Sequence, residues 1–327
     1  MHTVTILGFD QAYASAITGA LDLFSLTGVT WERMQHAAIS PKFNVQLASK
    51  GGLPIKCING ITLESHIAIE DVMQTDVLLI PTIGGHIDNV LSENKRLMQY
   101  IRHHYLAGAD IASNCSGAFF LAEAGLLTDK EATTHWGYAD VFRSRYPDVN
   151  LLEEQMITQS DRLFCSGGGM AWFDLALLLI ERYCGYQVAS QVAKSHILEI
   201  SRGTQAAYAH IRSKKFHQDE EILQAQEYIE AHYSHALPLS LLPEKLNLAP
   251  RTFLRRFKQA TRTTPSDYLK TVRLEAAKKL LEFSSDSTEL IVNQVGYEDA
   301  SSFIRLFKRH TGLSPGQYRK KFQRLAR

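Results

Sequence analysis

The chain has 327 residues, 45% of them hydrophobic and 21% charged, with a formal net charge of +1. This is the composition of an ordinary globular protein, long for one domain and comfortable for two, and it excludes disordered, fibrous and disulfide-stapled classes. No apolar run exceeds Leu175–Ile180, far too short to span a bilayer, so no membrane partner is expected.

The near-neutral charge hides an asymmetry. Residues 239–327 hold 18 Lys+Arg against 8 Asp+Glu, whereas residues 1–218 hold 17 against 21. A basic C-terminal part behind an acidic front implies that only the tail meets a polyanion. The four cysteines, Cys57, Cys115, Cys165 and Cys184, form no C-x-x-C pair and no zinc-like spacing. That pattern suits a reducing compartment and gives no metal or other cofactor, and the start MHTVTILGF enters a strand with no signal-peptide features. A cytoplasmic location is expected.

Residues 1–190 alternate strands with helices. VTILGF reads as a buried strand followed by a helix through Ala20–Leu26, and FNVQLAS (43–49) alternates as a strand should. DVLLIPTIGG (76–85) is an apolar strand ending in glycines. NKRLMQYIRHHYLAG has helical period and stops at Gly108, and ADIASNCSGAFFLAEAGLL reads strand, sharp turn, helix. ATTHW (132–136) and RLFCSGG (162–168) read as further strands, and WFDLALLLIERYCG as an apolar helix ending at Gly185. This pattern predicts an open α/β sheet with helices on both faces, over residues 1–199. Residues 200–218 turn polar and basic and read as a linker, and residues 219–327 read as all-helical.

Within the helical part a motif occurs twice. Phe253, Arg255, Phe257, Lys258, Pro265 and Tyr268 recur as Phe303, Arg305, Phe307, Lys308, Pro315 and Tyr318, each fifty residues on. The phenylalanines are i,i+4 pairs that anchor a short helix to its own small core. Arg251, Thr252 and Arg255 then project from the opposite side of the first helix, and Ser301, Ser302 and Arg305 from the second. Arg can donate bidentately to guanine, and Ser and Thr adapt to base edges or phosphates. Lys258, Lys308 and Arg309 fit phosphate contacts. Two such helices about 34 Å apart would enter successive major grooves of double-stranded DNA.

At Gly296, Tyr297, Ser301, Ser302, Phe303, Phe307, Lys308, Thr311, Gly312, Ser314, Pro315 and Tyr318 the tail resembles the AraC-type transcription regulators. The resemblance spans about residues 219–327 and implies a seven-helix domain with twin helix-turn-helix units that bind promoter DNA.

The front half carries a second constellation. Cys115 stands on the sharp strand-to-helix turn of ASNCSGAFF, where helix N–H groups lower a thiol's pKa and form an oxyanion hole. Gly84 and Gly85 offer further backbone donors, as does Ser116, and His135 in ATTHW can be brought back beside the cysteine. Trp136 could wall a pocket and attract a quaternary ammonium, or simply belong to the core. Three roles stay open for Cys115: inert core thiol, pocket-lining group, or nucleophile with His135 as base.

Over residues 3–190 this half resembles the DJ-1/PfpI branch of the class I glutamine amidotransferase-like fold, in the version fused ahead of AraC-type tails. The active members place a glutamate after the first strand, whereas here Ala16 stands at that position, with Asp10 and Asp22 the nearest acids. The resemblance therefore implies a flavodoxin-like domain that senses a small nitrogenous or amino-acid-like effector without catalysis. It also leads to the expectation of a homodimer formed through the N-terminal domain. A cysteine-dependent hydrolase with a DNA-targeting tail is the alternative.

Overall fold

The computed structural model describes residues 1–200, 203–209 and 217–323. The chain divides into two compact units, Met1–Ala206 and Ala207–Arg327. Of the expected linker, residues 201, 202 and 210–216 lie outside the described residues, as do residues 324–327 of the expected closing helix.

The first unit is built on seven strands: β1 (His2–Gly8), β2 (Phe43–Ser49), β3 (Ile67–Ala68), β4 (Val77–Ile80), β5 (Asp110–Asn114), β6 (Ile157–Ser160) and β7 (Leu163–Ser166). They lie in the order β6-β7-β5-β4-β1-β2-β3. Every neighbouring pair is parallel except β6 and β7, an antiparallel edge hairpin. In β4 all four residues are buried, although successive side chains point to opposite faces. Both faces of the sheet are therefore covered, as a parallel sheet of Val, Leu and Ile requires.

Helix α1 (Ala14–Ser25) packs with α4 (Trp172–Cys184), which packs with α5 (Tyr186–Ser195). Helix α2 (Lys95–Leu106) packs with α3 (Ala118–Glu123). Gly19 permits the closest approach: a Cβ there would lie 2.3 Å from the Trp172 ring. At the end of α4, Gly185 adopts φ +85°, a conformation glycine tolerates without steric cost.

One expected strand is shorter than its sequence suggests. Only Glu131–Ala132 pairs, with Asn150–Leu151, and Trp136–Tyr138 already form a helical turn. The intervening Thr133 and Thr134 pair through their hydroxyls outside this short ladder. Thr133 donates to Gln155 O at 3.0 Å and Thr134 to Cys115 O at 2.8 Å.

The second unit contains seven α-helices among its described residues. They are α6 (Glu220–His232), α7 (Leu242–Lys245), α8 (Pro250–Thr261), α9 (Pro265–Phe283), α10 (Thr288–Gln294), α11 (Ala300–Thr311) and α12 (Pro315–Phe322). Pro250, Pro265 and Pro315 each open a helix, where the missing N–H leaves no bond unmade. Two small cores form. Ile222, Ile229, Leu242, Phe253, Phe257 and Tyr268 build one, and Leu274, Leu281, Ile291, Phe303, Phe307 and Tyr318 build the other. Helix α9, about 28 Å long at 1.5 Å per residue, supplies Tyr268 and Leu269 to the first and Leu274, Ala277 and Leu281 to the second.

Candidate ligand pocket and nucleic-acid interface

Strand β5 ends at Asn114, and the chain reverses through Cys115 at φ +56° before α3 begins. A left-handed cysteine is sterically costly and persists only where its surroundings enforce it. Gly117 is part of that enforcement, since a Cβ there would lie 2.7 Å from Pro81 O and 2.8 Å from Ile80 O. The side chains of Asn114, Ser116 and Ser166 beneath the turn are paired. Asn114 donates from Nδ2 to Thr82 Oγ1 at 2.6 Å, Ser166 donates to Asn114 Oδ1 at 2.9 Å, and Ser116 donates to Ile83 O at 2.9 Å.

The electrostatics of this elbow run against the expectation for an activated thiol. Burial raises the Cys115 pKa above its ordinary value, outweighing opposing hydrogen bonds from the Gly169 and Ser116 backbone and the Ser116 and Thr82 hydroxyls. The helix terminus therefore does not make a thiolate here. The groups that act on it most strongly include neither a carboxylate nor an imidazole. Ala16, at the place where the resemblance implies a glutamate in active members, is itself buried, and Asp10 accepts from the Lys56 N–H at 2.9 Å.

His135 is half-buried, and burial lowers its pKa, so the ring is neutral near pH 7. Its Nδ1 accepts from the Gly137 N–H at 2.9 Å. A neutral ring that accepts at Nδ1 carries its proton on Nε2, which makes Nε2 a donor and not a base. The ring packs on Gly168, where a Cβ would lie 2.5 Å from Cδ2, and its centroid lies 5.1 Å from that of Trp136. Among the described residues no hydrogen bond joins His135 to Cys115.

The two glycine amides do not serve as expected. Gly84 and Gly85 both donate to the carbonyl of Gln11, at 2.7 and 3.2 Å, and so are not available to an oxyanion. Gln11 adopts φ +66° to place that carbonyl. A cavity of about 320 Å³ lies away from all these residues, lined by Met156, Ile157, Asp174, Leu177, Glu181 and Ile200 among others. Among the described residues no cluster of metal-competent side chains occurs, and no helix is long and apolar enough to cross a membrane.

In the second unit the duplication is visible in three dimensions. Phe253 and Phe257 are 5.6 Å apart by ring centroid, and Phe303 and Phe307 are 5.7 Å apart. Tyr268 donates to Glu230 and Tyr318 to Glu282, at 2.5 and 2.6 Å. Thr261 donates back to Phe257 O and Thr311 to Phe307 O. With the phenylalanines buried, Arg251, Arg255 and Lys258 on α8 are exposed, and Thr252 is half-buried. On α11, Ser301, Ser302, Arg305, Lys308 and Arg309 are all exposed.

The two helices differ where they begin. Asp299 caps α11, accepting from the Ser301 and Ser302 N–H groups at 3.1 and 2.9 Å, and the hydrogen bond with the Ser302 side chain leads the causes that lower its pKa. Arg305 in turn donates to Ser302 Oγ at 3.1 Å. Helix α8 has no side-chain cap, only Ala249 ahead of Pro250.

Comparison with known proteins agrees with both halves. Residues 26–182 match the DJ-1/PfpI family, and residues 242–321 match a helix-turn-helix domain. The HTH-type transcriptional regulator CdhR of Pseudomonas aeruginosa is 30% identical over 288 residues, covering 84% of this chain and 80% of that protein. The chain belongs to the AraC-type transcriptional regulators that carry an N-terminal DJ-1/PfpI domain.

This regulator is also 31% identical to the isonitrile hydratase of Pseudomonas putida over 153 residues, 46% of this chain and 64% of that enzyme. Two solved structures share its front fold. Drosophila melanogaster DJ-1beta has a TM-score of 0.51 at 18% identity, with 61% of this chain and 98% of that one covered. An AraC family transcriptional regulator from Pseudomonas putida has a TM-score of 0.50 at 18% identity, with 59% and 98% covered.

Two surface residues of the regulator escape a reading from periodicity alone. Leu254 and Ile304, again fifty residues apart, are 53% and 37% exposed on α8 and α11 beside the arginines. Apolar residues in an amphipathic helix read as core, a role that the phenylalanines fill in both helices, with Ala260 and Leu306 packed beside them. Arg256 is the converse case. It is held by Asp219 and Glu221, so among the arginines of α8 it belongs to the scaffold.

Proposed function

We propose that this transcriptional regulator reads an asymmetric DNA site of two unlike half-turns under the control of a small nitrogenous or amino-acid-like metabolite. In this reading the effector binds the first unit without being chemically transformed. Cys115, Ser116, His135 and Trp136 line the sensing site, and two chains associate through their front units. The observation that carries the non-catalytic reading is the state of Cys115: a thiol with its pKa raised by burial, with neither a base nor a carboxylate among the groups that act on it most strongly. On the DNA side, α8 presents Arg251 and Arg255, while α11 presents Arg305 with two serines, so the half-turns read by a single chain differ. The length of α9 supports successive major-groove entry, because about 28 Å approaches the pitch of B-DNA.

A thermal-shift screen of amino acids, betaines and small amines, followed by DNA binding with and without each stabilising compound, tests the sensing role. A compound that raises the melting temperature and changes affinity for a selected duplex supports it. Failure of every stabilising compound to move DNA affinity would remove the effector from the function.

The second reading, a cysteine hydrolase or hydratase with a DNA-targeting tail, is favoured by the left-handed Cys115 elbow and the 31% identity to an isonitrile hydratase. Turnover that disappears in Cys115→Ala would establish it.

A further inference from the structure

Gln205 stands at the end of the first unit with both ends of its carboxamide hydrogen-bonded. Its side chain belongs to the first unit and is 2% exposed. The amide nitrogen donates to Thr134 O at 2.7 Å and Glu153 O at 2.8 Å, with longer contacts to Gln155 O and Thr133 Oγ1 at 3.3 Å. The amide oxygen accepts from Gly168 N–H at 3.0 Å and Trp136 N–H at 3.4 Å. Gly167 makes room for it, since a Cβ there would lie 2.6 Å from Gln205 Cδ. The backbone is held as well: Gln205 N–H donates to Glu154 O at 3.0 Å, and Met156 N–H donates to Gly203 O at 3.3 Å.

The walls of this slot are the loop that carries His135 and Trp136, assigned to the sensing site, and the Gly168 loop on which the His135 ring packs. A carboxamide satisfied on both ends holds those loops in one arrangement, because leaving any of its partners unpaired and buried is costly.

The second unit begins two residues later. Ala207 is buried in the core that contains Leu274, Ala277 and Phe303. The Tyr208 ring lies 5.3 Å from Phe322 with Lys321 4.9 Å above it, and the Lys278 ammonium of α9 donates to Ala209 O. A segment of five residues, 205–209, is thus bound into the sensing loops at one end and into the core behind the second helix-turn-helix at the other.

We propose that Gln205 is an intramolecular latch: its carboxamide, seated among the loops of the sensing site, transmits the state of that site to the DNA-reading unit. The proposal rests on the regulatory function above. Coupling between two sites is reciprocal, so DNA bound at the tail must be felt in the sensing loops even when no effector is present.

The test uses the full chain and a duplex selected by the wild type from a random pool. Hydrogen exchange is followed in peptides covering residues 133–136, 153–155 and 167–168. DNA saturation is expected to change exchange there at least twofold in the wild type and not in Gln205→Glu. That variant keeps size and acceptor oxygen but turns a carboxylate against three carbonyl oxygens. Gln205→Ala with added propionamide is the second arm. The free amide refills the slot and restores the protection of the loops, but it has no tether, so the response to DNA stays absent.

An unchanged exchange pattern on DNA binding in the wild type overturns the latch, as does an equal response in Gln205→Glu, or its return with untethered propionamide. Failure of the wild type to select any duplex is a different result, one that removes the regulatory function itself and the latch with it.

Discussion

The guanidinium of Arg273 lies 5.1 Å from the ring of Tyr297 while donating to Tyr233 O at 2.8 Å and His235 O at 2.9 Å. One side chain on α9 thereby joins the end of α6 to the turn of the second helix-turn-helix. Gly296 makes the arrangement possible: it adopts φ +83°, and a Cβ there would lie 2.7 Å from Tyr233 O and 2.8 Å from Arg273 Nη2. Gly296→Ala meets both a strained backbone and a clash with a carbonyl that cannot swing away. A loss of about 1–3 kcal/mol in stability is expected, measured by urea unfolding of the full chain. A variant as stable as the wild type would show that this turn is not under steric constraint.

Base reading and scaffold should separate on a single helix. Arg255→Ala and Arg305→Ala are each expected to weaken a selected duplex by about 1–3 kcal/mol, with relaxed preference at the contacted position. Lys308→Ala should weaken all duplexes nearly equally and reduce the salt dependence of binding. Arg256→Ala is the control, with lower stability and unchanged base preference.

Acid should release the same scaffold contact. Arg256 lowers the pKa of Asp219 and Glu221, principally through its hydrogen bonds. Carboxylates with depressed folded-state values contribute stability above their unfolded values and lose it as pH falls through the folded ones. The wild type should therefore lose stability below about pH 4 more steeply than Arg256→Ala, compared by thermal melts across acidic buffers.

Cys115 should be slow to alkylate. Its pKa is raised by burial, so its reaction with iodoacetamide at pH 7–8 is expected to lag behind a free thiol. Cys115→Ala should retain DNA binding. The sign of the pH effect follows from the raised value: the thiol's contribution to stability is complete below its unfolded pKa and declines as pH rises beyond it. Rapid labelling of Cys115 in the folded chain would contradict the assignment.

The ends of α8 and α11 offer a stabilising change. Gly312 closes α11 at φ +74°, and its counterpart Arg262 closes α8 at φ +58°, where a side chain is strained. Arg262→Gly relieves a left-handed penalty at the expense of chain entropy. A gain of up to about 1 kcal/mol in unfolding free energy is expected.

The sequence made the architecture legible where the physics is local. Strand β2 spans the seven residues of FNVQLAS, although its burial does not alternate, Leu47, Ala48 and Ser49 being buried in succession, and α4 stops at the glycine that periodicity indicated. The exposure of Arg251, Arg255, Ser301, Ser302 and Arg305 followed from the Phe i,i+4 pairs, because burying two residues of a short helix fixes which way the others point. What stayed hidden depends on contacts across long stretches of sequence. Nothing near Gly84 and Gly85 reveals that the Gln11 carbonyl takes both amides, and nothing near Cys115 reveals that burial overrides the helix terminus. Gln205 stands in a polar, basic stretch that reads as linker, and its slot is assembled from loops some forty to seventy residues upstream.

Helix α9 serves two cores at once, and damage on either side therefore does not stay local. A substitution beneath one helix-turn-helix lowers the integrity of the bar on which the other is mounted. An alanine scan of this tail would spread each loss of grip over both half-sites, and neighbouring effects would fail to add. Only variants that melt with the wild type can be read as statements about which bases are touched.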